Sequence, residues 1–163
     1  GSRGWRNVLA NGSIPGLVAV ISFIIQDWSW TLPLFVSSVC VAAADTWASE
    51  IGCLDPRVRL ITNMESVPPG TNGGWSPTGQ IAALIGSVII GFAAFIFAWM
   101  PSSIPFSVGL QWTLISVVVG WIGCQFDSLI GALYENRGWI SKGGVNNAAI
   151  FFGISITSIF MLI

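Results

Sequence analysis

Asp45 and Glu50 stand in "AAADTWASEIG" (42–52) and Asp127 stands in "GCQFDSLIGA" (123–132), each within a run that is otherwise small or apolar. A carboxylate near the centre of a bilayer costs at least about 2.5–3.5 kcal/mol. No basic residue lies inside these runs to offset it. Three such acids need water, a proton, a cation, or an Arg or Lys reaching in from a loop. A hard divalent cation held by carboxylates and phosphate oxygens suits this donor set; a structural polar cluster between helices and a proton relay are the alternatives. The chain has no histidine, and Cys40, Cys53 and Cys124 form no C-x-x-C pair. Histidine catalysis, histidine-ligated metal and zinc knuckles are therefore excluded, and the cysteines read as apolar fillers. Carboxylates, amides, hydroxyls, Arg, Lys and backbone remain.

A second polar group is "VPPGTNGGWSPTG" (67–79), the end of a 27-residue connection that begins at Cys53. Connections of that length are usually functional. Gly70, Gly73 and Gly74 permit positive φ and close backbone approach, and successive N–H groups there can form an anion-binding nest. Ser76 or Thr78 can cap the helix that follows, whose N-terminal dipole points the same way. Arg57 and Arg59 add positive charge. The run lacks Gly-Lys-Ser/Thr, so it is not a P-loop. A third segment, "ENRGWISKGGVNNAA" (135–149), carries Arg137, Lys142, Gly143, Gly144, Asn146 and Asn147; taken alone it reads as a solvated loop.

The elements that must position these groups lie in lipid. Charged residues make up 8% of the chain, hydrophobic residues 53%, and the mean hydropathy is +0.78. A soluble domain carries about 25% charged residues, so an all-α, polytopic transmembrane bundle is expected. Residues 32–52, 78–99, 110–134 and 146–163 approach the length of about 20 that spans a bilayer. Residues 14–25 are fewer and open on Pro15-Gly16; they span only if Val8 to Asn11 join them. Five membrane helices are expected, in one integral membrane domain over residues 1–163.

The basic residues Arg3, Arg6, Arg57, Arg59, Arg137 and Lys142 all fall in connections that an alternating path places on one side. The positive-inside rule makes that side cytoplasmic. Trp28, Trp30, Trp99 and Trp112 are expected as an aromatic belt at the other interface. Small residues recur every four positions: Cys40, Ala44, Ala48, Gly52; Gly79, Ala83, Ser87, Gly91; and Gly123, Asp127, Gly131. Such stripes let helices approach closely. Asp45, Glu50 and Asp127 all lie toward the basic side, so carboxylates from two helices are expected to converge there.

"AAADTWASEIG", "PRVRLIT", "VPPGTNGGWSPTG" with "ALIGS", "FDSLIGA" and "NVLANG" stand in the order seen in the membrane family of plant and cyanobacterial phytyl-phosphate kinases, and the chain resembles that family over nearly its whole length. Members carry further N-terminal membrane helices, so the resemblance makes this chain the C-terminal, motif-bearing portion of a longer protein. Trp75 and Ile150 depart from the family pattern, and the second confines any role in the last helix to Asn146 and Asn147. The resemblance implies Mg²⁺-dependent phosphoryl transfer from a nucleotide, often CTP, to a prenyl monophosphate such as phytyl or geranylgeranyl phosphate. It implies Asp45, Glu50 and Asp127 as catalytic metal-binding residues. Thr71, Asn72, Gly73, Gly74 and Ser76 would cradle nucleotide phosphates, and Arg57 and Arg59 would clamp them. Lys142, Asn146 and Asn147 would serve the acceptor phosphate or the base. Membrane lipid and a prenyl-phosphate lipid are the expected partners besides the nucleotide; nucleic acid is not, and a homo-oligomer is left open. A cytidylyltransferase making a CDP-lipid and a transporter with a carboxylate cation site remain as rival readings.

Overall fold

The computed structural model describes residues 4–162; Arg3, the Arg6 side chain and Ile163 lie outside the described residues. The chain runs α1 (Trp5–Ile25), α2 (Thr31–Gly52), α3 (Pro77–Ala94), α4 (Phe106–Ile130) and α5 (Lys142–Phe160). A π-helical turn extends α3 over Phe95–Trp99 and another extends α4 over Gly131–Glu135. Between α2 and α3, β1 (Arg59–Leu60) pairs antiparallel with β2 (Gly74–Trp75), with Arg59 opposite Trp75. The five helices are each long and apolar enough to cross a membrane. The expected all-α membrane bundle is what forms.

The first segment is one helix, continuous from Trp5 through the stretch left doubtful by Pro15. Pro15 sits on the buried side and has no N–H to give the Asn11 carbonyl one turn back. A proline inside a membrane helix is tolerated where neighbouring helices satisfy the freed backbone group.

The bundle is organised around α2, which packs against each of the other four helices. The small-residue stripes make those crossings. An added Cβ at Gly120 would stand 2.4 Å from Ser87 Oγ and 2.7 Å from Cys40 Cβ, and one at Gly123 2.6 Å from Val41. At the end that carries the polar loops, Gly52 of α2 meets Gly79 of α3 at 3.1 Å in the same sense. Backbones this close leave room for dispersion contact and nothing larger.

Trp28 and Trp30 are exposed, as a belt requires, but Trp99 is not. It is packed with Val36, Cys40 and Phe95. The π turn inserts a residue into the last turn of that helix, which shifts its angular phase and turns the indole inward.

Candidate functional site

The C-terminal end of α2, the N-terminal end of α3, the C-terminal end of α4 and the first residue of α5 surround one cavity of about 180 Å³, roofed by the 70–76 loop. Asp45 and Ser49 share one face of α2 and both line it. Asp127, Ser128, Gly131 and Glu135 line it from α4, and Lys142 from α5. Asp45 and Asp127 stand close enough for their carboxyls to interact directly. Asp127 is only 5% exposed, and its Oδ2 has no hydrogen-bond partner.

The roof is built from turn chemistry. Gly73 has φ +77°, and a Cβ there would stand 2.4 Å from Ala132 Cβ and 2.7 Å from the Ser128 carbonyl oxygen. The loop backbone therefore rests directly on α4, one turn beyond Asp127. Asn136 Nδ2 donates to the Asn72 carbonyl at 3.1 Å and holds the same contact from the other side. The Thr71 N–H is spent on Pro68 O and the Gly74 N–H on Thr71 O. A nest in this loop consists of at most the Asn72 and Gly73 amides.

Asp55 pins the start of the connection, and the sequence signal for it was the Asp-Pro turn pair at 55–56. Its buried carboxylate accepts from Arg57 N and Nε at 2.9 Å and Nη2 at 3.0 Å. It also accepts from Thr78 Oγ1 at 2.6 Å and Thr78 N at 3.3 Å. The Arg57 guanidinium, then the Thr78 hydroxyl, hold this carboxyl well below the usual carboxylate range. A depressed folded-state pKa gives stability that is full above the unfolded value, near 4, and is lost as pH falls toward the folded one. Asp55→Asn is thus expected to lower the unfolding temperature at pH 7, with the gap to wild type closing below about pH 4. Thermal melts of both proteins from pH 7 to pH 3 check this; a gap independent of pH would contradict it.

Ser76 is the N-cap of α3: its Oγ accepts from Gly79 N at 3.1 Å and donates to Gly52 O. Its main-chain oxygen takes the Gln80 N–H. With Thr78 N bound to Asp55 and Pro77 lacking an N–H, the first turn of α3 spends its donors within the protein. Ser76 borders the cavity, with its hydroxyl and the amides of this helix N-terminus already hydrogen-bonded within the protein.

The other expected site residues divide cleanly. Asp45, Asp127, Thr71, Asn72, Gly73, Gly74 and Lys142 border the cavity. Glu50 does not; it is exposed, five residues and so about 140° around α2 from Asp45. Arg57 is ion-paired with Asp55 at 2.9 Å, its side chain 68% exposed. Arg59 donates to the Met64 carbonyl outside the cavity. Neither arginine borders the cavity. Asn147 accepts from Ser13 at 2.9 Å, and Asn146 donates to Asn11 Oδ1 at 2.7 Å; both tie α5 to α1. Among the described residues no three Asp, Glu, Cys or His side chains meet as a metal-binding group, so the Asp45–Glu50–Asp127 triad is not formed. Glu135, which sequence reasoning missed, takes the third acidic place on the cavity wall.

A family model described as "Integral membrane protein DUF92" matches residues 1–156. A membrane protein of Methanocaldococcus jannaschii, described as uncharacterised, is 34% identical over 152 residues, which cover 93% of this chain and 59% of that protein. Protein PGR of Arabidopsis thaliana is 32% identical over 86% of this chain and 55% of its own length. Protein VTE6, chloroplastic, also of Arabidopsis thaliana, is 31% identical over 99% of this chain and 48% of its own length. The chain thus spans about half to three fifths of the length of these relatives. No solved structure matches it.

Proposed function

The chain belongs to the integral membrane protein family DUF92, and on that premise we propose that its cavity transfers a phosphoryl group from a nucleoside triphosphate, CTP being favoured, to a prenyl monophosphate. The resemblance to the phytyl-phosphate kinases supplies the substrate class. The observation that carries the reading is one cavity bordered at once by the Asp45 and Asp127 carboxyls, the Thr71–Gly74 turn and Lys142. Phosphoryl transfer asks a protein mainly for positioning and charge neutralisation. The acceptor phosphate is already ionised, so no histidine base is needed.

A cavity of about 180 Å³ is smaller than the roughly 300 Å³ or more of a whole small-molecule site. It suits phosphate groups and a hydrated cation, with the base outside its mouth and the prenyl tail in a groove between helices open to lipid. Two adjacent carboxylates fit Mg²⁺, which binds through one or two carboxylates, retained waters and phosphate oxygens. Asp45 and Asp127 would hold it, and bound there it would neutralise charge on the transferring phosphoryl oxygens. Lys142 neutralises the remaining phosphate charge, and the Asn72 and Gly73 amides orient it. The clustering of basic residues on this side supports a cytoplasmic mouth.

Product analysis with purified full-length protein, Mg²⁺ and a panel of labelled nucleotides tests the reading. Label from the γ position of CTP should appear in the prenyl diphosphate. Label from the α position in a lipid product means cytidylyl transfer instead. Gradient-driven flux in liposomes without nucleotide consumption means a transporter.

A further inference from the structure

We propose that the acceptor lipid reaches the cavity sideways, through a groove between α3 and α4, with Gln80 and Trp121 as specificity-determining residues. For the identity of that lipid, a prenyl monophosphate, this rests on the phosphoryl-transfer reading. Gln80 borders the cavity from the first turn of α3. It is also bonded on the outer face of the bundle, where its Oε1 accepts from Nε1 of the exposed Trp121 at 3.1 Å. Gln125, one turn further along α4, donates to the Trp121 carbonyl. Amide and indole groups thus stand where the surface of a membrane helix is otherwise apolar, and polar groups in that setting are costly and kept mainly for function. The indole N–H can only donate, so it fixes the Gln80 amide with Oε1 toward Trp121 and leaves Nε2 to donate elsewhere, as to a phosphate oxygen.

At this level α3 and α4 touch through these long side chains. Deeper in the bundle their backbones close up: an added Cβ at Gly91 would stand 2.7 Å from Val117, and one at Gly120 2.4 Å from Ser87 Oγ. On the loop side the roof rests on α4 through Gly73. Between these two contacts the Gln80–Trp121 pair is the bar across a window. The other walls are tighter. α2 meets α3 through Gly52 and Gly79, α4 meets α5 through the stacked rings of Phe126 and Phe152 at 4.1 Å, and Asn146 ties α5 to Asn11 of α1. One turn deeper than Gln80 on α3 comes Leu84, and Val118 and Leu114 follow Trp121 on α4, all three exposed. They continue the window as an apolar strip that suits an isoprenoid chain. Asp45 lies seven residues, about 10 Å, inside the end of α2. A lipid phosphate therefore reaches it from the side without leaving the bilayer, while a water-soluble nucleotide enters past the loops.

Full-length protein in phosphatidylcholine nanodiscs, free of nucleotide, should be irradiated with geranylgeranyl monophosphate carrying a diazirine on its chain. The labelling that excess unmodified geranylgeranyl monophosphate removes should fall on residues 80–91 and 114–125. Gln80→Leu should raise the probe concentration for half-maximal labelling about tenfold, the scale of one hydrogen bond to a charged group. Gln111→Leu, exposed further out on α4, should leave it unchanged. In turnover assays Gln80→Leu should raise KM for the prenyl monophosphate and not for the nucleotide. If Gln80→Leu fails to fold, the labelling map of the wild type decides. Competed labelling on other helices, no competed labelling, an unchanged midpoint in Gln80→Leu, or an equal rise in both KM values overturns the proposal. Label in the groove with no turnover on any nucleotide upholds the groove and removes the phosphoryl-transfer reading instead.

Discussion

Asp127→Asn is expected to lower phosphoryl transfer by at least about a hundredfold, on the scale of removing one preorganised charge-stabilising group from an active site, while inserting and purifying like the wild type. The substitution keeps the side-chain volume and removes the charge. It also gives the Asp45 carboxyl, close by in the fold, an N–H donor in place of a second carboxylate. In the absence of cations the variant should therefore melt at or above the wild-type temperature, because relieving buried like charges stabilises. Asp45→Asn should behave in the same way. Loss of activity with retained stability is the signature of a group kept for chemistry. Turnover assays and melts on the same preparations provide the check. Wild-type turnover in either variant would remove the carboxylate pair from the mechanism; loss of both activity and stability would make it structural.

The second large effect belongs to the roof. Gly73→Ala places a methyl group 2.4 Å from Ala132 Cβ and 2.7 Å from a main-chain oxygen of α4, at a φ of +77°. Neither neighbour is the end of a flexible side chain, so the loop must lift. Lifting moves the Asn72 and Gly73 amides away from the cavity and breaks the Asn136 bond to the Asn72 carbonyl. Misplacing such groups by about 1 Å costs roughly a hundredfold. We expect kcat/KM for the nucleotide to fall on that scale, with faster proteolysis confined to residues 67–76. Gly70→Ala is the control: its φ is +85°, but nothing lies within 4 Å of the added methyl. Its effect should be limited to backbone strain and smaller by at least tenfold. Equal effects at the two positions would mean that the contact with α4 does not matter.

Hydropathy, the placement of six basic residues and the four-residue spacing of small ones were enough to read five membrane helices, their alternation and the polar side where the loops meet. They also told that Asp45 and Ser49 share a face, because residues four apart on a helix always do. The glycines of the 70–74 loop were readable as a backbone approaching something closely. The motifs carried family membership. What they approach, and which acids meet, came only from the tertiary structure.

The physical reason is rotational phase. Sequence periodicity says which residues lie together on one helix, not how that helix is turned toward its neighbours. Glu50 and Asp45 looked equivalent by depth, yet about 140° of helix separates them. Glu135 lies eight residues beyond Asp127, about 80° off its face in a regular α-helix. The π turn over Gly131–Glu135, closed by Asn136 N–H to Gly131 O, absorbs one residue and returns Glu135 to the cavity wall. Nothing in "LIGALYEN" signals that change of pitch. Arg57 was legible as a cation near the loop, but only the fold put Asp55 within 2.9 Å of it and withdrew it from the site. Composition alone determined the solvent; the packing of α2 against its four neighbours decided which few of the polar groups at the loop-bearing end face a common space.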